Sequence, residues 1–307
     1  MLKVWLMSIQ LAFAVYMCDG NDTESVDDCN MISSNPDSGL VCDESIELVD
    51  DADDHSTFAM RVNLSVFISS SGIIETRAMT RLLLLMRINK DDADSMELSL
   101  CHLKIPAIFI PGQSGPTQML MDESIFLELE TVKTVLNAPE HKTCAAIRFP
   151  EVPFVFSIQI EDKLNDPMLD YYPDCITPVE TDCVFDMDND GFPGVTFQAE
   201  NIPGIDVRTI FMVMRATLNT DSIFGSQDLI LGRSDWSIEQ RVLGCTIVPL
   251  GQNEPRLCNA SELDIVRKVN PVLSPVPGIP GNFYGIRVTN EMNCEDLIYS
   301  EDYVFGR

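Results

Sequence analysis

The string Asp186-Met187-Asp188-Asn189-Asp190-Gly191-Phe192-Pro193-Gly194-Val195-Thr196 carries a carboxylate at every second residue and a glycine directly after the third. Carboxylates at that spacing let a loop wrap its oxygens around a hard cation. Ca²⁺ takes roughly six to eight oxygens at about 2.3–2.6 Å, and the glycine permits the sharp turn that brings the third carboxylate and the next carbonyl inward. The spacing therefore predicts side-chain ligands from Asp186, Asp188 and Asp190 and a carbonyl ligand from Phe192, with Ca²⁺ as a structural cofactor. Without a cation, three carboxylates so close together repel and raise one another's pKa. The loop is not an EF-hand: its twelfth position is Phe197, where a bidentate Glu is needed, and no helical pattern flanks it. A closing carboxylate must come from elsewhere, with Asp182, Glu180 and Glu200 nearest. A hydrated acidic turn without an ion is the alternative.

Other chemistry is thinly represented. His55, His102 and His141 are scattered and form neither HExxH nor HxH, so they read as ordinary surface or strand residues. Gly112-Gln113-Ser114-Gly115 falls short of the nucleophile elbow GxSxG, and no phosphate-cradling glycine loop is present. Paired carboxylates for glycoside chemistry stay open among so many acids, because only their separation in space matters. Against 48 acidic residues stand 20 basic ones, a formal charge of −28. Such a chain lacks the cationic surface that displaces phosphate counterions, which excludes nucleic acid as a partner and adhesion to an anionic bilayer through a basic patch.

Residues 1–20 read as a secretory signal: one lysine, an apolar run from Val4 to Met17 broken only by Ser8 and Gln10, then Cys18-Asp19-Gly20. The run is shorter than the roughly 20 residues that span a bilayer as a helix. Cleavage after Ala14 and a lipid anchor at Cys18 are both open readings. Ten cysteines without a CxxC pair fit disulfides in an oxidising compartment, secreted or in the periplasm and outer envelope, better than zinc or redox chemistry. Proximity suggests the pairs Cys29–Cys42, Cys175–Cys183 and Cys245–Cys258.

The elements that must position the loop follow from the pattern around it. Residues 21–55 form an acidic linker: twelve acids lie between Asn21 and Asp54 with no Lys or Arg, so repulsion extends the segment and its few apolar groups cannot offset ordering entropy. From residue 56 to 307, apolar runs of mostly five to ten residues alternate with Gly, Pro, Asn and Asp clusters. The runs include Val62–Ile68, Leu82–Ile88, Met96–Ile105, Ile125–Val132, Phe154–Ile160, Val195–Ala199, Thr209–Ala216, Leu229–Leu231, Arg241–Ile247 and Phe283–Val288. This predicts an all-β domain, an antiparallel barrel of lipocalin-like type or a sandwich. One helix is expected after Ser261, ending before Pro271. Leu82–Arg87 and Ile210–Arg215 are alike, each a continuous apolar strand ending in Arg, which raises two similar halves, 56–174 and 184–307. Neither run alternates, so each is expected to be buried on both faces or to form a twisted barrel stave.

The Asp186–Thr196 loop and the Trp236–Gly244 stretch, Trp-Ser-x-Glu-Gln-x-Val-Leu-Gly, resemble exported proteins of uncharacterised role from myxobacteria and related Gram-negative bacteria. The similarity covers mainly residues 175–245, with a looser echo from Thr57 to Ile105. It implies a secreted or envelope-attached β domain, often lipoprotein-like, and brings no activity with it. The loop alone also resembles the calcium loops of thrombospondin type 3 and dockerin modules, without their tandem repetition. The expected function is an exported, calcium-stabilised β-barrel with a binding or structural role in the cell envelope and no evident catalytic machinery. Its ligand would be an apolar small molecule or a surface glycan. A secreted hydrolase using paired carboxylates is the alternative.

Overall fold

The structure, a computed structural model, describes residues 55–70, 74–89, 95–108, 115–135, 147–166, 183–202, 206–226, 228–249 and 251–306. The signal, residues 21–54 of the expected linker, Cys18, Cys29, Cys42 and Cys175 lie outside those residues, and His55, the linker's expected last residue, instead opens the first strand. Twelve strands form one antiparallel sheet: β1 (His55–Ser70), β2 (Ile74–Asn89), β3 (Ser95–Lys104), β4 (Gln118–Met121), β5 (Val132–Val135), β6 (Ile147–Phe156), β7 (Val195–Glu200), β8 (Val207–Ser226), β9 (Leu229–Ile247), β10 (Arg256–Leu257), β11 (Val272–Pro275) and β12 (Gly281–Val288). The order is β4-β7-β8-β9-β12-β1-β2-β3-β5, with β6 beside the far half of β8, β11 beside β1 and β10 beside β9. The sheet curls into a half-barrel, which brings β5 near β6. The all-β, barrel-like expectation is met.

Period-two burial gives the sheet its inner face. Along β1, Val62, Leu64, Val66 and Ile68 point inward while Arg61, Asn63, Ser65 and Phe67 stay partly exposed. One continuous core joins Phe58 and Met60 of β1, Leu84 and Met86 of β2, Phe154 and Phe156 of β6, Phe197 of β7 and Met212 and Met214 of β8.

The two non-alternating runs are buried on both faces. In β2, Leu82, Leu84 and Met86 enter the inner core, while Leu83 and Leu85 face an outer cluster. In β8, Ile210, Met212 and Met214 face inward, while Phe211 and Val213 belong to a different outer cluster. A cover on the outer face removes the need for polar alternation. The terminal arginines clamp those covers. Arg87 donates to the Met292 carbonyl at 3.1 Å, and Arg215 donates to the Lys163 and Asp166 carbonyls at 3.2 and 2.7 Å and to Glu239 at 2.7 Å.

Among the described residues three helices are present where one was expected: α1 (Ile125–Glu128), α2 (Ala260–Val269) and α3 (Cys294–Val304). The run Ile125–Val132 is therefore not one strand. Asp122 Oδ1 accepts from the Ser124 N–H at 2.8 Å and starts a single turn that buries Ile125 and Phe126 side by side, which a strand cannot do. Phe126 meets His102 of β3 and Phe156 of β6 edge-on, at centroid distances of 5.7 and 6.4 Å, and so fills the seam between the two ends of the curl. Helix α2 is capped by Asn259 with Glu262, two residues ahead of the expected Ser261. Helix α3 is capped in the same way by Asn293 and Asp296. The Leu229–Leu231 and Arg241–Ile247 runs merge into the single strand β9 through a polar middle.

Cys245–Cys258 is bonded as expected and ties β9 to the residue before the α2 cap. Cys101–Cys294, 193 residues apart, ties β3 to the start of α3 and was not anticipated. Cys183 is also disulfide-bonded. The four cysteines named above pair among themselves, so its partner lies outside the described residues, and the expected Cys175–Cys183 pair falls there too.

Candidate metal centre

The loop leaves β6 territory through a short two-stranded neck. Ile158 pairs with Val184, and the Phe185 N–H donates to the Ser157 carbonyl at 3.1 Å. Asp186 bridges to Gly194, and the Gly194 N–H donates to the Phe185 carbonyl at 3.1 Å, closing the loop on itself before β7 begins. A Cβ at position 194 would come within 2.8 Å of the Met212 carbonyl oxygen, so only glycine lets the loop lie this close to β8. Gly191 serves another need, a φ of +90°, which reverses the chain after Asp190.

Two side chains seat the loop. Met187 is buried in the inner core. The Phe192 ring stacks on Phe211 at 4.2 Å with 12° between planes, against the outer cluster of Ile158, Ile160, Val213 and Leu243. The carboxylates are thereby held at the start of β7, beside β8, by anchors in both the inner core and the outer cluster.

Asp186 accepts from the Asp190 and Gly191 N–H groups at 3.2 and 2.8 Å, and Asp190 accepts from the Phe192 N–H at 2.9 Å. Asp188 Oδ2 accepts from the Thr196 N–H at 2.7 Å, linking the loop to the first turn of β7. One oxygen from each of Asp186, Asp188 and Asp190 lies within 4.8 Å of the others. Burial pushes the Asp188 carboxyl above its ordinary range; the Thr196 N–H pulls it down, and Asp186 and Asp190 push it up again. Asp188 Oδ1 is shut from water without a hydrogen-bond partner, and so is the Thr196 hydroxyl.

Three of the expected ligands thus converge. Phe192 stands in the loop, its ring in the outer cluster and its N–H on Asp190. Asp182 and Glu180 lie outside the described residues. Glu200 closes the far end of β7, about 13 Å along the strand from Thr196 at 3.3 Å per residue, and does not join the group. Sequence reading missed Thr196 because a threonine opening a strand carries no ligand signal by itself.

The converging group suits a hard cation: carboxylate oxygens, no sulfur and no imidazole. Elsewhere, burial lowers the His102 pKa and Phe126 packs against its ring. His141 and Ser114 fall outside the described residues. Among the described residues no helix is long and apolar enough to cross a membrane. In comparisons with known proteins, no family model, no curated protein and no solved structure matches the chain.

Proposed function

We propose that the chain is an exported β protein of the cell envelope, structural or surface-binding in role, whose Asp186–Thr196 loop is locked by Ca²⁺. Asp186, Asp188 and Asp190 supply side-chain oxygens and Phe192 its carbonyl, and the Thr196 hydroxyl completes the base of the site directly or through a water. The observation that carries this reading is the convergence of one oxygen from each of three carboxylates within 4.8 Å, beside the buried Asp188 Oδ1, which has no partner within the protein. A bound cation would satisfy Asp188 Oδ1 and cancel the repulsion that now opposes its ionisation.

Two disulfides among the described residues fit an oxidising compartment and support export. The interior of the curl is filled by Phe58, Phe154, Phe156, Phe197 and Met60, which favours a scaffold or a glycan-binding surface over an apolar guest held inside. The ion's task is then mechanical: it fixes the entry to β7 and the Phe192–Phe211 stack.

Titration of the mature protein with Ca²⁺, followed by ¹⁵N NMR, tests the metal directly. The Gly191 and Thr196 amides should shift with a single Kd of roughly 10⁻⁴–10⁻³ M, the range of extracellular calcium modules, and the shifts should vanish in Asp188→Ala. Unmoved loop amides at 10 mM Ca²⁺ would remove calcium from the reading.

A further inference from the structure

We propose that the outward face of α3 is a docking surface for an extended, arginine-rich polypeptide segment. The inference is independent of the metal loop. Helix α3 is held firmly from below: Leu297 and Phe305 are buried in the outer cluster over β1–β3, Cys294 is bonded to Cys101, Arg81 pairs with Glu301 at 2.9 Å, and the Arg61 guanidinium lies over the Phe305 ring at 5.1 Å. The opposite face carries Tyr299 and Tyr303, 96% and 90% exposed, with Glu295, Asp296 and Asp302 exposed around them.

Two rings at positions i and i+4 share one helix face, about 6 Å apart along the axis. They sit on a rigid, capped helix, so a partner immobilises little on binding them, and tyrosine is enriched at such contacts for that reason. Rings bordered by carboxylates favour cations. A guanidinium can stack on each ring face while the neighbouring acids neutralise it. In an extended segment, arginines at alternate positions point to one side and lie roughly 6.6–6.8 Å apart, a match to the two rings. The chain's charge of −28 draws such a segment in and repels a second copy.

The test uses a fluorescently labelled Ac-(Arg-Ser)₄-NH₂ peptide and the mature protein at 0.15 M salt, where surface charges act over only about 8 Å. Tyr299→Ala/Tyr303→Ala leaves the net charge intact and adds a strong helix former, and circular dichroism checks that the helix persists. The double variant should bind at least about fivefold more weakly than the wild type, Tyr299→Phe/Tyr303→Phe within about twofold of it, and the matching (Glu-Ser)₄ peptide not at all. Equal binding by the wild type and the alanine variant, which means diffuse charge attraction, would overturn the proposal. So would absent binding of the arginine peptide, self-association through this face, or selective capture of a neutral oligosaccharide there.

Discussion

Asp188 Oδ1 and Thr196 Oγ1 are both shut from water and without partners, in two residues joined by the Thr196 N–H bond to Asp188 Oδ2. An unpaired buried polar atom costs roughly 1–3 kcal/mol, so the two oxygens oppose folding unless something binds them. Thr196→Val separates the two roles of the hydroxyl, because valine keeps the branched shape that suits a strand. Without metal the variant should melt at the wild-type temperature or above it, since an unsatisfied group has been removed. Its Ca²⁺ affinity should fall about tenfold, equivalent to ~1.4 kcal/mol. A drop in metal-free stability with unchanged affinity would show that the hydroxyl serves packing alone. At this scale the acidic spacing was legible because alternating carboxylates before a glycine have few other uses. The threonine was not, since its relevance depends on the loop folding back onto β7.

At the scale of elements, what could be read depended on whether an element's logic is local. The β2 and β8 runs announce burial on both faces by lacking alternation, and both are covered. The Ile125–Val132 run misled because its apolar residues fit a strand as well as a turn of helix. The cue lay upstream, in the Asp122-Glu123-Ser124 start signal. The caps of α2 and α3 follow one design, an Asn whose side chain accepts from the third following residue while that residue's carboxylate reaches back. In α2 the box is reinforced from outside, because Arg256 donates to both Glu262 oxygens at 2.8 and 2.7 Å. That pairing, together with the Asn259 N–H, holds the Glu262 carboxyl down to about 2. A depressed folded pKa means that Glu262 contributes its full stabilisation above its unfolded value near 4.5 and loses it as the pH falls toward about 2. The melting-temperature gap between the wild type and Glu262→Gln should therefore be constant above about pH 5 and close progressively below it. A gap that widens on acidification would contradict the assignment.

For the whole molecule, class and curl follow from period-two patterning, but closure does not. Proximity in sequence found Cys245–Cys258, across a short connection. It could not find Cys101–Cys294, whose halves meet only after β12 has slotted between β9 and β1 and carried the C-terminal helix over β2 and β3. The seam filled by Phe126 is equally non-local. Within this frame the acidic loop sits at the entry to β7, tied to the inner core through Met187 and to the outer cluster through Phe192. An ion bound there should therefore stabilise the sheet as a unit. The most direct measurement is a thermal melt of the protein in 10 mM Ca²⁺ and in EGTA, beside Asp188→Ala under both conditions. A ligand at roughly 10–100 times its Kd adds about 1.4–2.7 kcal/mol, so Ca²⁺ should raise the wild-type midpoint by roughly 3–10 °C and leave the variant unmoved. Wild-type midpoints that coincide with and without Ca²⁺ would contradict a cation-locked loop.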